Sequence, residues 1–372
     1  MVDKLRIGVI FGGRSGEHEV SLMSARSVLA VLDPQKYAVT SIGITHEGAW
    51  LVGENVLQAL LQNQVSSLTP AVLLPEPDRQ GLYTLDPTQG GELLRLLTGL
   101  DVVFPVLHGT FGEDGTLQGL LELADVAYIG AGVLGSSVGM DKALFKDVMR
   151  THHIPVTESL VFSRRQVETQ MEQVLIQSEG IAPYPLFVKP ANLGSSVGIS
   201  RCRNRSDLLE GLLDAARYDR RILVERGINA REIEVSVLGN EDPQASLPGE
   251  VIPSDEFYSY AAKYLDDRSR LIIPAPLSPE LTAQVQDMAV RAFTAIDCAG
   301  MARVDFLLDR DTNELFLGEI NTIPGFTNIS MYPKLWQASG LSYPALIDHL
   351  IELALERKAD RDRTEHHYGR IG

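Results

Sequence analysis

Cysteine is nearly missing from this chain: only Cys202 and Cys298 occur among 372 residues. They lie far apart and neither belongs to a CxxC pair, which argues against a disulfide framework or a thiolate metal site and for two buried or incidental thiols in a reducing compartment. Positive charge is scarce too. Lys and Arg number 33 against 49 Asp and Glu, for a formal net charge of −16. That balance weighs against a nucleic-acid partner or an anionic membrane partner, although a few local lysines suffice for a small anionic ligand. No apolar run approaches a membrane span. The opening "MVDKLRIGVIFGGRSGEHE" has too short an apolar stretch for a secretory signal and no small-residue cleavage site, so the cytoplasm is the expected location.

What is present points to a globular chain. Hydrophobic residues make up 44% and charged residues 22%, ordinary values for a soluble protein with a real core. The length exceeds what one core usually serves, so two or three packed domains are expected. Leu5–Ile10 is an apolar run that ends in Gly12-Gly13 and leads into a helical pattern through Val20, Met23, Val28 and Leu32. Tyr37–Ile44 supplies a second strand, making the opening of a parallel α/β unit. From His46 to about Gly91, Pro70, Pro75, Pro77 and Pro87 interrupt short apolar pieces; this stretch reads as an insertion, not a separate domain. Val102–Leu107 is another buried strand, followed by "HGTFGEDGT", a helix at Leu117–Leu123 and, after "GAGVLGSSVGMDK", a helix to about His153. Beyond Pro155 come a helix at Gln166–Ser178, the strand "YPLFVKP", the helix Ser206–Tyr218, and strands at Arg221–Glu225 and Glu232–Leu238. A loop at Ser254–Ser269, a helix at Pro279–Ile296 and a last helix near Tyr343–Arg357 follow, and the charged tail after Lys358 is expected to fray.

Several motifs carry possible chemistry. Gly130, Gly132 and Gly135 of "GAGVLG" match the GxGxxG dinucleotide fingerprint. No acid follows about 20 residues on at the end of a second strand, as that fingerprint requires, and Lys142 places a cation where such units have none. Turn glycines are the plainer reading, with a nicotinamide oxidoreductase as runner-up. "VKPANLGSSVGIS" is stronger: Lys189 ends an apolar strand, and Gly194, Ser195, Ser196 and Gly198 follow. Such a loop turns successive N–H groups toward an anion, with the lysine as a point charge; the alternative is a solvent loop. Glu17, in "GGRSGEHEVS", is either a dipole-compensating acid at a helix start or a partner for a substrate ammonium at the carboxyl end of the sheet. His108 stands at a similar strand end, as a ligand contact or a satisfied core histidine.

The segment Val304–Thr322, "VDFLLDRDTNELFLGEINT", reads as a hairpin with Thr312 at its tip. That register sets Asp305 opposite Glu319 and Arg303 opposite Asn321, all on one face, with Val304, Phe306, Leu308, Phe316 and Ile320 on the other. Facing carboxylates repel. A hard divalent cation that takes oxygen ligands and phosphate oxygens resolves the conflict, with Asp305, Glu319 and the amide oxygen of Asn321 as its ligands; the alternative is a hairpin whose acids point into water.

In order along the chain, "GGRSGEHEVSLMS", "HGTFGEDGTLQGLLE", "GMDK", "VKPANLGSSVGIS", "YAAKYLDD", "ARVDFLL" and "GEINTIPGF" resemble the motifs of the D-alanine–D-alanine ligases of the ATP-grasp fold. The resemblance runs from Arg6 to about Arg357. It implies a three-domain α/β chain: an N-terminal parallel-sheet domain at 1–141 with an insertion at about 46–91, a central ATP-grasp domain at 142–227, and a C-terminal ATP-grasp domain at 228–372. It further implies that Lys142 and Lys189 hold the α- and β-phosphates of ATP, that Lys263 reaches the terminal phosphate, and that Glu225 and Glu232 meet the adenine edge and the ribose. Asp305, Glu319 and Asn321 would ligate a pair of Mg2+ or Mn2+ ions. Glu17 would bind the first D-alanine's ammonium, with Ser195 and Tyr264 as its hydrogen-bonded partners and His108 nearby. Arg303 and the backbone of Gly325 would stabilise oxyanion charge, and Ser330 with Met331 would meet the second substrate's carboxylate. The expected activity is ATP-dependent formation of D-alanyl-D-alanine for peptidoglycan precursors, with D-alanine–D-lactate or D-alanine–D-serine ligation as the alternative and a homodimer as the expected assembly. The loop 254–269, with Tyr258, Tyr260, Lys263 and Tyr264, would act as a lid.

Overall fold

The computed structural model describes residues 4–194, 197–252, 270–327 and 329–365. Its strands form three sheets. In the first, Leu5–Gly12 lies parallel to Tyr37–Ile44 on one side and to Val102–Val106 on the other, and Ala127–Tyr128 extends the parallel part. Positions 7–12 of the first strand are all buried, as expected where both faces of a parallel sheet are covered. The stretch read as an insertion continues this sheet: Trp50–Val52, Thr69–Leu73, Gly81–Thr88 and Gly91–Gly99 add to its edge in antiparallel fashion. It therefore runs on to Gly99, and its outermost strand exposes Leu93, Leu94, Leu96 and Leu97.

The second sheet is antiparallel, ordered Ser200–Cys202, Leu186–Pro190, Arg221–Arg226, Ser159–Ser163. It packs on helices through a core that includes Phe162, Leu175, Leu212 and Val224. The single helix expected at 166–178 is two, Arg164–Thr169 and Met171–Glu179. Ser163 and Gln166 form a reciprocal capping box that starts the first piece early, and Gln170, at φ −139°, leaves the helical region and separates the second.

In the third sheet Ala230–Gly239 is central, flanked by Gly249–Ile252 and by Gly300–Asp309, which in turn pairs with Leu315–Asn321. The helix Pro279–Ala295 closes its back against Val235, Val237, Val304 and Phe306. Arg303 pairs with Asn321 and Asp305 with Glu319 as the sequence suggests, but a bulge follows and Phe306 faces Leu317. Gly318 is the extra residue. A bulge reverses the alternation of faces, so Leu315 and Leu317 enter the core and Phe316, expected there, lies on the opposite face. Its ring centroid is 5.2 Å from the Arg226 guanidinium carbon.

The final helix, Tyr343–Arg361, runs a turn beyond the expected Arg357. Arg361 pairs with Glu122 and, at 2.9 Å, with Asp125, while Lys358 reaches Asp125 at 3.1 Å; these contacts hold the turn expected to fray. Among the described residues no helix is long and apolar enough to cross a membrane.

Candidate active site

Loops from all three sheets line one cleft, which brings Glu17, His108, Lys142, Gly194, Arg303, Glu319, Asn321 and Gly325 together. Glu17 occupies the N-cap position of the helix His18–Val31, but its side chain makes no capping hydrogen bond. It is buried and enclosed by two glycines. A Cβ on Gly109 would lie 2.5 Å from Glu17 Oε2, and one on Gly194 would lie 2.6 Å from it. Gly109 also has φ +74°, so both conformation and close approach require glycine there.

His108 uses both ring nitrogens within the protein. Nδ1 is 3.0 Å from the carbonyl oxygen of Ile323 and Nε2 is 3.0 Å from Ser24 Oγ. A carbonyl only accepts, so Nδ1 carries the proton, Ser24 donates to Nε2, and Ser24 Oγ accepts from Phe326 N at 3.2 Å. Burial lowers the imidazole's pKa and keeps it neutral. His108 thus lines the cleft while fastening the 323–326 loop. Glu113, which sequence reasoning passed over, does related work: Oε1 accepts from Gly109 N at 2.8 Å and Oε2 from Ile323 N at 3.4 Å. Burial, then the nearby charge of Glu17, pushes its pKa up to about 8.

On the second sheet's side, Asp141 caps the helix Lys142–Thr151 by accepting from Ala143 N and Leu144 N. Lys142 starts that helix; its Nζ donates to Leu193 O at 2.8 Å and lies 3.5 Å from Glu319 Oε2. Lys189 Nζ rests 2.5 Å from Glu225 Oε2. A second lysine, Lys146, lies 2.5 Å from Glu225 Oε1 and was not singled out from the sequence. Glu232 lies on the central strand of the third sheet, across from Leu307.

The hairpin acids are not simply solvated. Arg303 makes two bonds of 2.7 Å to Asp305 and also reaches Glu234 at 3.0 Å. Asn321 Nδ2 donates to Asp305 Oδ2 at 3.0 Å, which leaves its amide oxygen to face elsewhere. Asp305, Glu319 and that oxygen are hard donors on one face of a hairpin, and Arg303 and Lys142 are the cations that meet the two acids here. This donor set fits a magnesium-like ion that completes its shell with phosphate oxygens and water.

Gly325 approaches the start of the helix Met331–Ala338: a Cβ there would lie 2.7 Å from Ser330 Oγ. Ser330 Oγ accepts from Thr327 N at 3.0 Å. The Met331 side chain packs into the core with Val251 and Leu335, so what Met331 can offer a carboxylate is its backbone N–H at a helix N-terminus. Ser195, Lys263 and Tyr264, with the whole expected lid, lie outside the described residues. The glycines of "GAGVLG" serve close packing: a Cβ on Gly135 would lie 3.0 Å from Asp297 O, and one on Gly300 would lie 3.2 Å from Gly130 N.

A sheet with a parallel centre followed by two antiparallel sheets, with Lys142 from the helix before the second and Glu319 and Asn321 from the third at a shared cleft, defines an ATP-grasp protein. Residues 6–131 match the family model for the D-ala D-ala ligase N-terminus and residues 148–352 the model for the D-ala D-ala ligase C-terminus. A D-alanine–D-alanine ligase of Natranaerobius thermophilus is 49% identical over 97% of this chain and 98% of its own length. Among solved structures, the D-alanine–D-alanine ligase of Coxiella burnetii superposes with a TM-score of 0.81 at 39% identity, covering 97% of each chain. The VanG D-Ala:D-Ser ligase of Enterococcus faecalis superposes with a TM-score of 0.83 at 35% identity, covering 95% of this chain and 100% of that one. The chain belongs to the D-alanine–D-alanine ligase family.

Proposed function

We propose that the chain is an ATP-dependent ligase joining two D-alanines to D-alanyl-D-alanine through an acyl phosphate, for peptidoglycan precursor synthesis. The carrying observation is the convergence, in one cleft, of an enclosed acid, Glu17, with Lys142, Arg303 and the hairpin oxygens of Glu319 and Asn321.

Peptide formation in water is uphill, so the first D-alanine's carboxylate is activated by attack on the γ-phosphate of ATP, giving an acyl phosphate and releasing ADP. Glu17 holds that substrate's ammonium, with Ser195 and Tyr264 as its hydrogen-bonded partners. Lys142 and Lys189 hold phosphates, Lys263 meets the transferring group, and Glu225 and Glu232 meet the adenine edge and the ribose. Asp305, Glu319 and Asn321 would hold Mg2+ or Mn2+, which would supply neutralisation of phosphate charge. Ser330 and the N–H of Met331 receive the second D-alanine's carboxylate. Its neutral amine attacks the acyl carbon, Arg303 with the N–H of Gly325 stabilises the tetrahedral oxyanion, and collapse of that intermediate breaks the acyl C–O bond, releasing inorganic phosphate and the amine's proton. His108 and Glu113 act one step back, by holding the 323–326 loop in place. The segment 254–269, outside the described residues, has the lid's part in this reading, keeping water from the acyl phosphate. Domain divisions at 141/142 and 227/228, a homodimeric assembly and a cytoplasmic location belong to the same reading.

An ADP-release assay over D- and L-amino acids, D-serine and D-lactate tests it. D-alanine alone should drive release with D-alanyl-D-alanine as product. A faster second substrate in D-lactate or D-serine would reassign specificity, and no amino-acid response would remove the ligase reading.

A further inference from the structure

Lys146 is the most completely buried charged side chain near the cleft, 2% exposed, and the mechanism above gives it no task. It lies one helical turn after Lys142, on the same helix. Lys142 contacts Leu193 and Glu319. Lys146 turns instead to the second sheet, where Nζ lies 2.5 Å from Glu225 Oε1 and donates to Thr157 Oγ1 at 2.7 Å. Thr157 in turn donates to the same Glu225 oxygen at 2.8 Å. The other Glu225 oxygen belongs to Lys189, at 2.5 Å. One carboxylate therefore has two lysines, and they are not equivalent: the Lys189 side chain is 24% exposed, whereas that of Lys146 is locked under the helix.

We infer that Lys146, with Thr157, is a positioning residue for nucleotide binding: it holds Glu225 ionised and aimed when Lys189 leaves that carboxylate for a nucleotide phosphate. The inference rests on the reading in which Lys189 meets phosphate and Glu225 meets the adenine. Lys189 sits within the charge of Glu225, Glu319 and Glu232, and an arriving phosphate draws off this more exposed lysine at low cost only if Glu225 keeps a second counter-ion. Without Lys146, that exchange would strand Glu225 as a lone buried carboxylate. It would then take up a proton, and one of its oxygens would cease to accept from an adenine amino group. Lys146 makes the exchange possible because its bond to Glu225 lies on the oxygen that Lys189 does not use. A helix that presents Lys142 and Lys146 one turn apart also ties the phosphate end of the site to its base end.

The experiment is equilibrium binding of a non-hydrolysable ATP analogue with Mg2+ to the full chain, with steady-state KM values for ATP and D-alanine measured alongside. Lys146→Met should weaken analogue binding roughly thirtyfold or more, in keeping with the loss of one partner of a buried ion pair, and raise the KM for ATP while leaving that for D-alanine within about twofold. Thr157→Val keeps both charges and the local shape, and should weaken binding by roughly fivefold, through loss of the hydroxyl that bridges Lys146 and Glu225. Should Lys146→Met fail to fold, Thr157→Val decides alone: a KM split confined to ATP supports the inference, and unchanged ATP binding overturns it. In a Glu225→Gln background, Lys146→Met should add little, since there is no charge left to hold; full additivity would make Lys146 merely structural and overturn the inference. Lys189→Met separates the two levels. If it weakens analogue binding while Lys146→Met and Thr157→Val do not, the nucleotide reading stands and the inference fails. If the parent chain does not bind the analogue, both fail.

Discussion

The chain neutralises its carboxylates differently in two places. Glu225 is buried and is met by two lysines and a threonine. Burial alone would raise its pKa, but Lys146 and Lys189 outweigh burial and hold it well below the usual carboxylate range. Asp305 and Glu319 are partly exposed, and they face Arg303, the Asn321 amide and Lys142. A buried acid needs a permanent counter-ion, because any interval without one carries the full cost of desolvation. A partly exposed pair can trade its side-chain cations for an arriving metal, since water reaches it and screens the interval. The first arrangement suits a fixed recognition group, the second an exchangeable site.

Breaking the exchangeable half should have the largest effect. Glu319→Gln is expected to fold normally, with an unchanged thermal midpoint, and to lose at least about a hundredfold in D-alanine-dependent phosphate release. Near-normal turnover would remove the hairpin from the chemistry. A smaller effect is expected at Gly194→Ala, whose added Cβ would lie 2.6 Å from Glu17 Oε2. The carboxylate must swing aside, so the KM for the first D-alanine should rise roughly tenfold, about the worth of one charge-assisted hydrogen bond, with little change in ATP binding. Equal loss for both substrates would mean that the loop, not the acid, has moved.

Glu113 sharpens the comparison, with the smallest effect of the three. It is buried like Glu225, but its oxygens accept only from backbone N–H groups among the described residues, and burial wins, raising its pKa to about 8. A carboxyl whose folded pKa exceeds its unfolded value, about 4.3, favours the folded state while protonated. That stability is complete below the unfolded pKa and is lost as pH rises toward 8. Glu113→Gln removes the titration, so its unfolding free energy relative to the parent should improve steadily between about pH 5 and about pH 8. A pH-independent difference in denaturant titrations would contradict this.

Much of this was legible in the sequence, for reasons that also explain the gaps. The pairs Asp305/Glu319 and Arg303/Asn321 followed from counting alternate residues to a turn, and counting works as long as the ladder is regular. It failed at Gly318, where one unpaired residue sends Phe316 away from the core. The lysine loop and Glu17 stood out because a charge at a strand end has few structural uses. Glu113 and Lys146 did not stand out. An acid among loop glycines, or a lysine four residues after another on a polar helix, looks the same as a solvated one until the neighbouring sheet is in place. Met331 marks the opposite limit: its position in a motif says nothing about which of its atoms faces the cleft, and its side chain faces the core.

The last helix has a consequence for how the chain is made. Leu346, Ile347, Leu350 and Ile351 share one hydrophobic core with Ile7, Val9 and Val102, so the strand Leu5–Gly12 waits for the helix Tyr343–Arg361 to be made before its layer is closed. Synthesis at about 5–20 residues per second leaves that apolar face uncovered for many seconds, and contacts of such long sequence separation form late. A nascent chain stopped short of this helix would carry a sheet whose apolar layer is only partly covered, by the helix His18–Val31, a natural client for a chaperone.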